Sequence, residues 1–169
     1  MMTRQLLGTL VAMTETPHWL TEPEQHAWRS FVRMNERLVG RLARQVQTES
    51  GLSTADYGVL VHLTEVPGGR QRLLELAREV EWEKSRMSHH IDRMAKRGLV
   101  VREDCASDRR GAFVVVTPAG RAALAAAAPQ HVKAVRRLFI NPLSSAELAM
   151  LADISNRIIE AIDADGEAS

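Results

Sequence analysis

Residues 84–120 read KSRMSHHIDRMAKRGLVVREDCASDRRGAFVVVTPAG, and this stretch decides the fold. Met87, Ile91 and Met94 recur at i, i+4 and i+7, the spacing of one face of an α-helix. A helix is therefore predicted from about Lys84 to Arg97, with that face turned into a core. Gly98 behind it suits the left-handed residue that closes a helix. Leu99–Arg102 then reads as a strand, Ala106–Gly111 as a turn and Ala112–Val116 as a second strand, a hairpin with Asp108-Arg109-Arg110-Gly111 at its tip. Thr117-Pro118 has the capping and first-turn chemistry of a further helix.

Working outward from this centre, the upstream signals are all helical. Thr21-Glu22-Pro23-Glu24 has the form of a capping box. Apolar residues follow it at Trp28, Phe31, Val32, Leu38, Val39, Leu42 and Val46, and Ser50-Gly51 ends the helix. Ser53-Thr54-Ala55-Asp56 can cap a second helix, which Pro67-Gly68-Gly69 stops near Val66. A short third helix covers about Leu73–Val80. Downstream, the Ala-rich helix from Pro118 is expected to bend at Pro129 and end near Phe139. Ser144-Ser145-Ala146-Glu147 caps a last helix, lined by Leu148, Leu151, Ile154, Ile158 and Ile162. The expected fold class is mainly α with a β-hairpin wing. Residues 53–117 would form a winged helix-turn-helix lobe, and helices at about 21–50 and 118–163 a helical dimerisation lobe, since one small winged lobe cannot bury the stripes of three long helices. Together they make one domain over 21–165, flanked by a weakly ordered arm at 1–20 and a polar tail at 164–169.

Composition narrows the function classes. The 169 residues are 45% hydrophobic and 25% charged, ordinary for a globular chain and unlike a disordered one. No run approaches the roughly 20 apolar residues of a membrane span. Leu6–Met13 faintly resembles a signal peptide, but no small-residue cleavage site follows, and Met13 offers a second start. One cysteine excludes an internal disulfide, and the expected compartment is the cytoplasm. The formal net charge is +1, so the useful charge signal is local. Arg70–Arg121 holds 12 basic and 8 acidic residues, a net of +4, while the remainder carries −3. A basic centre between slightly acidic ends suits a DNA-contacting lobe on a neutral scaffold.

The helix over 84–97 sharpens that reading. With its apolar side inward, the opposite face presents Ser85, Arg86, Ser88, His89, Arg93 and Lys96. In a major groove, Arg can donate two bonds to guanine, while Ser and His can reach base edges or phosphates. At the hairpin tip, Arg109 and Arg110 can enter a narrow minor groove, whose negative potential attracts guanidinium. Asp108 can hold the tip in shape. The competing readings are a solvated helix face and a charged edge that discourages aggregation.

These residues carry a resemblance. Ser85-Arg86-Met87-Ser88 through Arg93-Met94-Ala95-Lys96-Arg97-Gly98-Leu99-Val100, then Asp108-Arg109-Arg110-Gly111 and Val114-Val115-Val116-Thr117-Pro118-Ala119-Gly120, resemble the MarR family of bacterial transcription regulators in residue type and spacing. The helix order matches from Thr21 onward. The resemblance implies a homodimer built on the first and last two helices, with two winged lobes on a pseudo-palindromic operator in double-stranded DNA. It also implies that Arg110 is the wing arginine of the minor groove and Asp108 its supporting acid. Three positions depart from the family pattern. His89 stands where a long polar residue is frequent, His90 where an apolar one is usual, and Arg86 where a small hydroxyl is frequent. The family's base preference therefore does not transfer.

A small-molecule effector is the further expectation. The family often binds aromatic or anionic molecules between its DNA lobe and dimer helices, and Trp28, Tyr57, His62 and Trp82 are the candidates to line such a site here. Arg29, Arg33, Arg37 and Arg41 form a stripe that could attract an anion. The alternatives are that Trp28 belongs to the core and that the stripe is solvated, pairing with Glu36 or a partner chain. Cys105 lies beside Glu103 and Asp104, acids that discourage its thiolate. Zinc on His89, His90 and Cys105 is not expected, because adjacent helical residues point about 100° apart. The six histidines have no metal-ligand spacing, and no P-loop, GxSxG, HExxH or CxxC occurs. The chain therefore reads as a regulator, most simply a repressor, with no cofactor, no metal and no enzymatic activity. Its rivals are a winged-helix module for protein–protein assembly and a small-molecule binding protein without DNA function.

Overall fold

A computed structural model describes residues 19–105 and 108–167. The elements run α1 (Glu22–Ser50), α2 (Thr54–Glu65), a 3-10 turn (Pro67–Gly69), β1 (Arg70–Arg72), α3 (Leu73–Glu79), α4 (Lys84–Lys96), β2 (Val100–Cys105), β3 (Asp108–Val116), α5 (Pro118–Val135) with a π turn at Arg136–Ile140, and α6 (Ser145–Glu167). Most of the arm read at residues 1–20 lies outside the described residues. The chain divides inside α1 into two units, one ending at Glu36 and one beginning at Arg37.

Local chemistry sets most of these boundaries. At α2, Ser53 Oγ accepts from the Asp56 N–H at 3.0 Å, while the Asp56 carboxylate accepts from the Ser53 N–H at 2.9 Å. The same reciprocal box joins Ser144 and Glu147 ahead of α6. Ahead of α1, Glu24 accepts from both the backbone N–H and the hydroxyl of Thr21. α4 ends in a Schellman arrangement. Gly98 has φ +73°, and the N–H groups of Gly98 and Leu99 close on the carbonyls of Ala95 and Met94. The turn between α3 and α4 is tighter than its sequence suggests, for Glu81 holds a left-handed φ of 52° without being glycine.

The core sits in the second unit. Leu60, Leu63, Leu76, Met87, Ile91, Met94, Val100 and Val114 are completely buried. Each such side chain contributes roughly 1.5–3 kcal/mol by leaving water. The predicted inward face of α4 is thus the observed one. Around this core the sheet is antiparallel in the order β1-β3-β2, with Arg70 opposite Val115, and Val100 opposite Val116. α5 starts against it. Thr117 Oγ1 donates to the Gly98 carbonyl at 2.6 Å, lies 3.0 Å from the Leu99 carbonyl, and accepts from the Gly120 N–H at 2.9 Å. A Cβ on Gly120 would collide with the Leu99 carbonyl oxygen, so the helix can approach this closely only with glycine there.

The structure departs from the sequence reading at four points. β1 is a strand that RQR does not announce, since only its middle residue, Gln71, turns inward. The hairpin turns more tightly than read, because Cys105 pairs with Asp108 and Asp104 with Ala112. Asp108, Arg109, Arg110 and Gly111 therefore belong to β3, across an irregularity opposite Asp104/Cys105. α6 continues through Asp163 to Glu167, into the stretch read as a polar tail. Lastly, Trp28 does not join the core. Trp28 is 58% exposed and Phe31 52%, and only Val46 of the apolar stripe of α1 is buried.

Candidate nucleic-acid interface

α4 presents the face that the sequence assigned to it. Ser85, Arg86, His89, Arg93 and Lys96 are exposed and Ser88 is half-buried, while Met87, His90, Ile91 and Met94 are buried on the other side. The helix thereby offers cations and hydroxyls outward from a rigid support. Neighbouring groups hold several of its side chains. The Arg86 guanidinium stacks 4.0 Å from the Trp82 ring, a cation–π contact. Arg93 Nη2 lies 3.0 Å from His90 Nδ1. From β2, Arg102 donates to Asp92 at 2.7 Å and to Ser88 Oγ at 3.1 Å, tying the wing strand to α4.

Beneath this face lies a buried carboxylate. Asp56 is 3% exposed, and its Oδ2 accepts from Arg97 at 2.7 Å while its Oδ1 lies 3.3 Å from His90 Nε2. Arg97 also donates to the Gly51 carbonyl at 3.1 Å. Burial alone would raise the Asp56 carboxyl. The contacts from His90, Ser53 and Arg97 outweigh burial and hold it well below the usual carboxylate range. The N-terminus of α2 and the inner side of α4 are therefore joined through one ionised group.

Of the wing residues, Asp108, Arg109 and Arg110 are placed on β3 by their backbone, and their side chains lie outside what is described. At the base of the sheet, Arg70 stacks 3.4 Å from the Phe113 ring and pairs with Glu103 at 2.8 Å. The four residues read as an effector site have separate neighbours. Trp28 stacks on Phe31 within the first unit, ring centroids 6.0 Å apart. Tyr57 meets His131 of α5 at 4.6 Å, and His62 Nδ1 lies 3.7 Å from Glu79. Trp82 lies edge-on to His90 at 5.3 Å. Burial raises the Tyr57 phenol and lowers the His131 imidazole. In the arginine stripe, Arg29 donates to Gln25 at 3.1 Å, and Arg33, Arg37 and Arg41 are exposed.

The sequence reading missed Arg102, Asp92 and the Asp56–His90 pair. Arg102 had a signal in its place on a wing strand. Asp56 had none beyond its capping role, since the bond from Arg97 spans 41 residues. Among the described residues no group of His, Cys, Asp and Glu is placed to hold a metal ion. No described helix is long and apolar enough to cross a membrane.

Comparison with known proteins agrees with this geometry. The sequence model of the MarR family matches residues 50–111, which run from the last residue of α1 through α2, α3 and α4 into the hairpin. A putative transcriptional regulatory protein for the hcr operon of Thauera aromatica is 30% identical over 118 residues, covering 70% of this chain and 69% of that protein. The crystal structure of AbsC, a MarR family transcriptional regulator from Streptomyces coelicolor, superposes with a TM-score of 0.82 at 42% identity, covering 86% of this chain and 98% of AbsC. Sco3205, of the same family and organism and solved in complex with DNA, gives a TM-score of 0.82 at 40% identity, covering 86% of this chain and 91% of Sco3205.

Proposed function

This chain belongs to the MarR family of transcriptional regulators, and from that premise we propose that it binds double-stranded DNA as a homodimer and represses transcription. The observation that carries the reading is the outer face of α4. Arg86, His89, Arg93 and Lys96 are exposed on a helix whose other side is locked into the core. The structure of Sco3205 with DNA supports it. In this reading α4 lies in the major groove, where Arg86, Arg93, Ser85, Ser88 and His89 meet bases and phosphates. Asp108, Arg109 and Arg110 bring the wing to the minor groove, with Arg110 inserted. The winged lobe spans 53–117. The helices at 21–50 and 118–163 supply the dimer contact, for which Met150, Ile158, Ile159 and Ile162 of α6 stand more than half exposed. A two-fold axis would set the two α4 helices about 34–36 Å apart, one turn of B-DNA.

The protein acts in the cytoplasm, as a regulator and not an enzyme. A small aromatic or anionic effector, with Trp28, Tyr57, His62 or Trp82 in its site, would act by favouring one spacing of the two lobes over another.

Fluorescence anisotropy with DNA from upstream of the protein's own gene, or with fragments selected from the genome, tests the proposal at about 150 mM salt. Nanomolar binding that resists scrambled competitor is expected. Arg86→Ala should change base preference, and Arg110→Ala should weaken binding at every site. Binding confined to roughly 1–100 μM and equal for scrambled DNA would be non-specific. That result would overturn the reading in favour of a protein–protein assembly module.

A further inference from the structure

The two histidines of α4 are adjacent and have opposite surroundings. His89 is exposed, whereas His90 is only 5% exposed. An imidazole in a core is unfavourable unless its nitrogens are used. Nδ1 of His90 lies 3.0 Å from Arg93 Nη2, one turn further along the helix. A guanidinium only donates, so Nδ1 must accept. The proton of the neutral ring then sits on Nε2, which lies 3.3 Å from the buried Asp56 carboxylate. That contact is off the axis of a well-formed hydrogen bond, yet the negative charge favours a proton on this nitrogen. The remaining groups around the ring are Trp82, edge-on at 5.3 Å, and Arg97, which shares Asp56 with it. The ring is thus oriented from α2 and from the α3–α4 turn, and its one free acceptor is aimed at a side chain of the DNA-facing surface.

We propose that His90 is a positioning residue for DNA recognition: from inside the lobe its Nδ1 presets the Arg93 guanidinium before DNA arrives, with Asp56 fixing the tautomer that makes this possible. The inference rests on the reading of Arg93 as a DNA contact. An arginine free in solution populates many rotamers, and ordering it on binding weakens affinity. A hydrogen bond made beforehand removes part of that loss. An apolar residue at position 90 could pack equally well and would leave Arg93 unguided.

Two amide substitutions separate the roles of the two ring nitrogens. The side-chain oxygen of Asn can occupy the place of Nδ1, whereas Gln extends its amide toward the place of Nε2. The probe is a mixed-sequence duplex of about 30 base pairs at about 50 mM salt, so the measurement needs no operator. His90→Gln and His90→Leu should weaken binding about three- to tenfold, the range expected for one guided hydrogen bond. His90→Asn should stay within about twofold of wild type. In an Arg93→Ala background, His90→Gln should have no further effect. If Arg93→Ala itself leaves affinity unchanged, the assignment of Arg93 to the DNA surface fails. If Arg93→Ala weakens binding and His90→Gln does not, or if Asn loses as much as Gln, the positioning role fails while that assignment stands. Nitrogen-15 spectra of the wild-type imidazoles give a test independent of any variant's folding. They should find Nδ1 of His90 without a proton at neutral pH, and a proton there would overturn the proposal.

Discussion

Asp56→Asn removes one charge from the lobe and almost no volume. The carboxylate accepts from Ser53 N at 2.9 Å and Arg97 Nη1 at 2.7 Å, and faces His90 Nε2 at 3.3 Å. An Asn oxygen can keep one of these donors, but its amide nitrogen then opposes another donor. A hydrogen bond to a charged group contributes about 1.5–3 kcal/mol. The Arg97 side chain is 46% exposed and can turn to water, so its share belongs at the low end of that range. His90 and Ser53 have no such recourse. The summed loss is about 2–4 kcal/mol, or a fall in Tm of roughly 5–15 °C for a chain of this size. Thermal unfolding followed by circular dichroism, at equal chain concentration for both proteins, measures it. The sign with pH follows from the depressed carboxyl. Above its ordinary value of 3.8 the group is ionised in both folded and unfolded chains, and its full contribution is present. Below that value the unfolded chain takes up a proton that the folded one resists, and stability drains away. The gap between wild type and variant should therefore be full near pH 7 and narrow from about pH 4 downward. A variant within about 1 °C of wild type at pH 7, or a gap unchanged down to about pH 3, would refute the reasoning.

Three further outcomes follow from the packing. Gly120→Ala should cost about 1–3 kcal/mol in urea unfolding, because the added methyl meets the Leu99 carbonyl and overpacking outweighs the helix preference of Ala. Ile158→Glu together with Ile162→Glu, on exposed positions of α6, should halve the mass seen by light scattering at micromolar concentration and leave the helical signal intact. Arg102→Ala strips the cation from Asp92 and Ser88. It should weaken DNA binding about three- to tenfold and shift Tm by less than about 1 °C, since the ion pair is exposed.

The parts of this fold that the sequence announces are those written locally. Met87, Ile91 and Met94 mark a face by their spacing, Ser53, Thr117 and Ser144 mark helix starts, and Gly98 marks an end, because each acts within four residues of itself. What the sequence conceals depends on distant partners. β1 is three residues with one inward side chain, and it becomes a strand only because Phe113–Val115 lie beside it. The Asp56–His90–Arg97 cluster joins a helix cap to the inner side of another helix, and no spacing rule spans that separation. His90 was legible only as a departure from a family pattern, with its use hidden until Arg93 and Asp56 are seen around it. Trp28 illustrates the reverse error. An apolar stripe says that a face must be covered and says nothing about whether its own chain covers it.

The junction at Thr117 has a mechanical meaning. One hydroxyl contacts the carbonyls of Gly98 and Leu99, and Gly120 sits directly against the latter, so the first turn of α5 is clamped to the end of α4. From that clamp α5 extends 18 residues, about 27 Å at 1.5 Å per residue. A long arm fixed at one end transmits torque. A sideways push of about 5 Å at its far end turns the arm through roughly 10°, and the clamped lobe must turn with it. In the DNA-binding reading proposed above, whatever grips the far end of α5 would set the angle at which α4 meets DNA, without altering a single contact on the face of α4 itself.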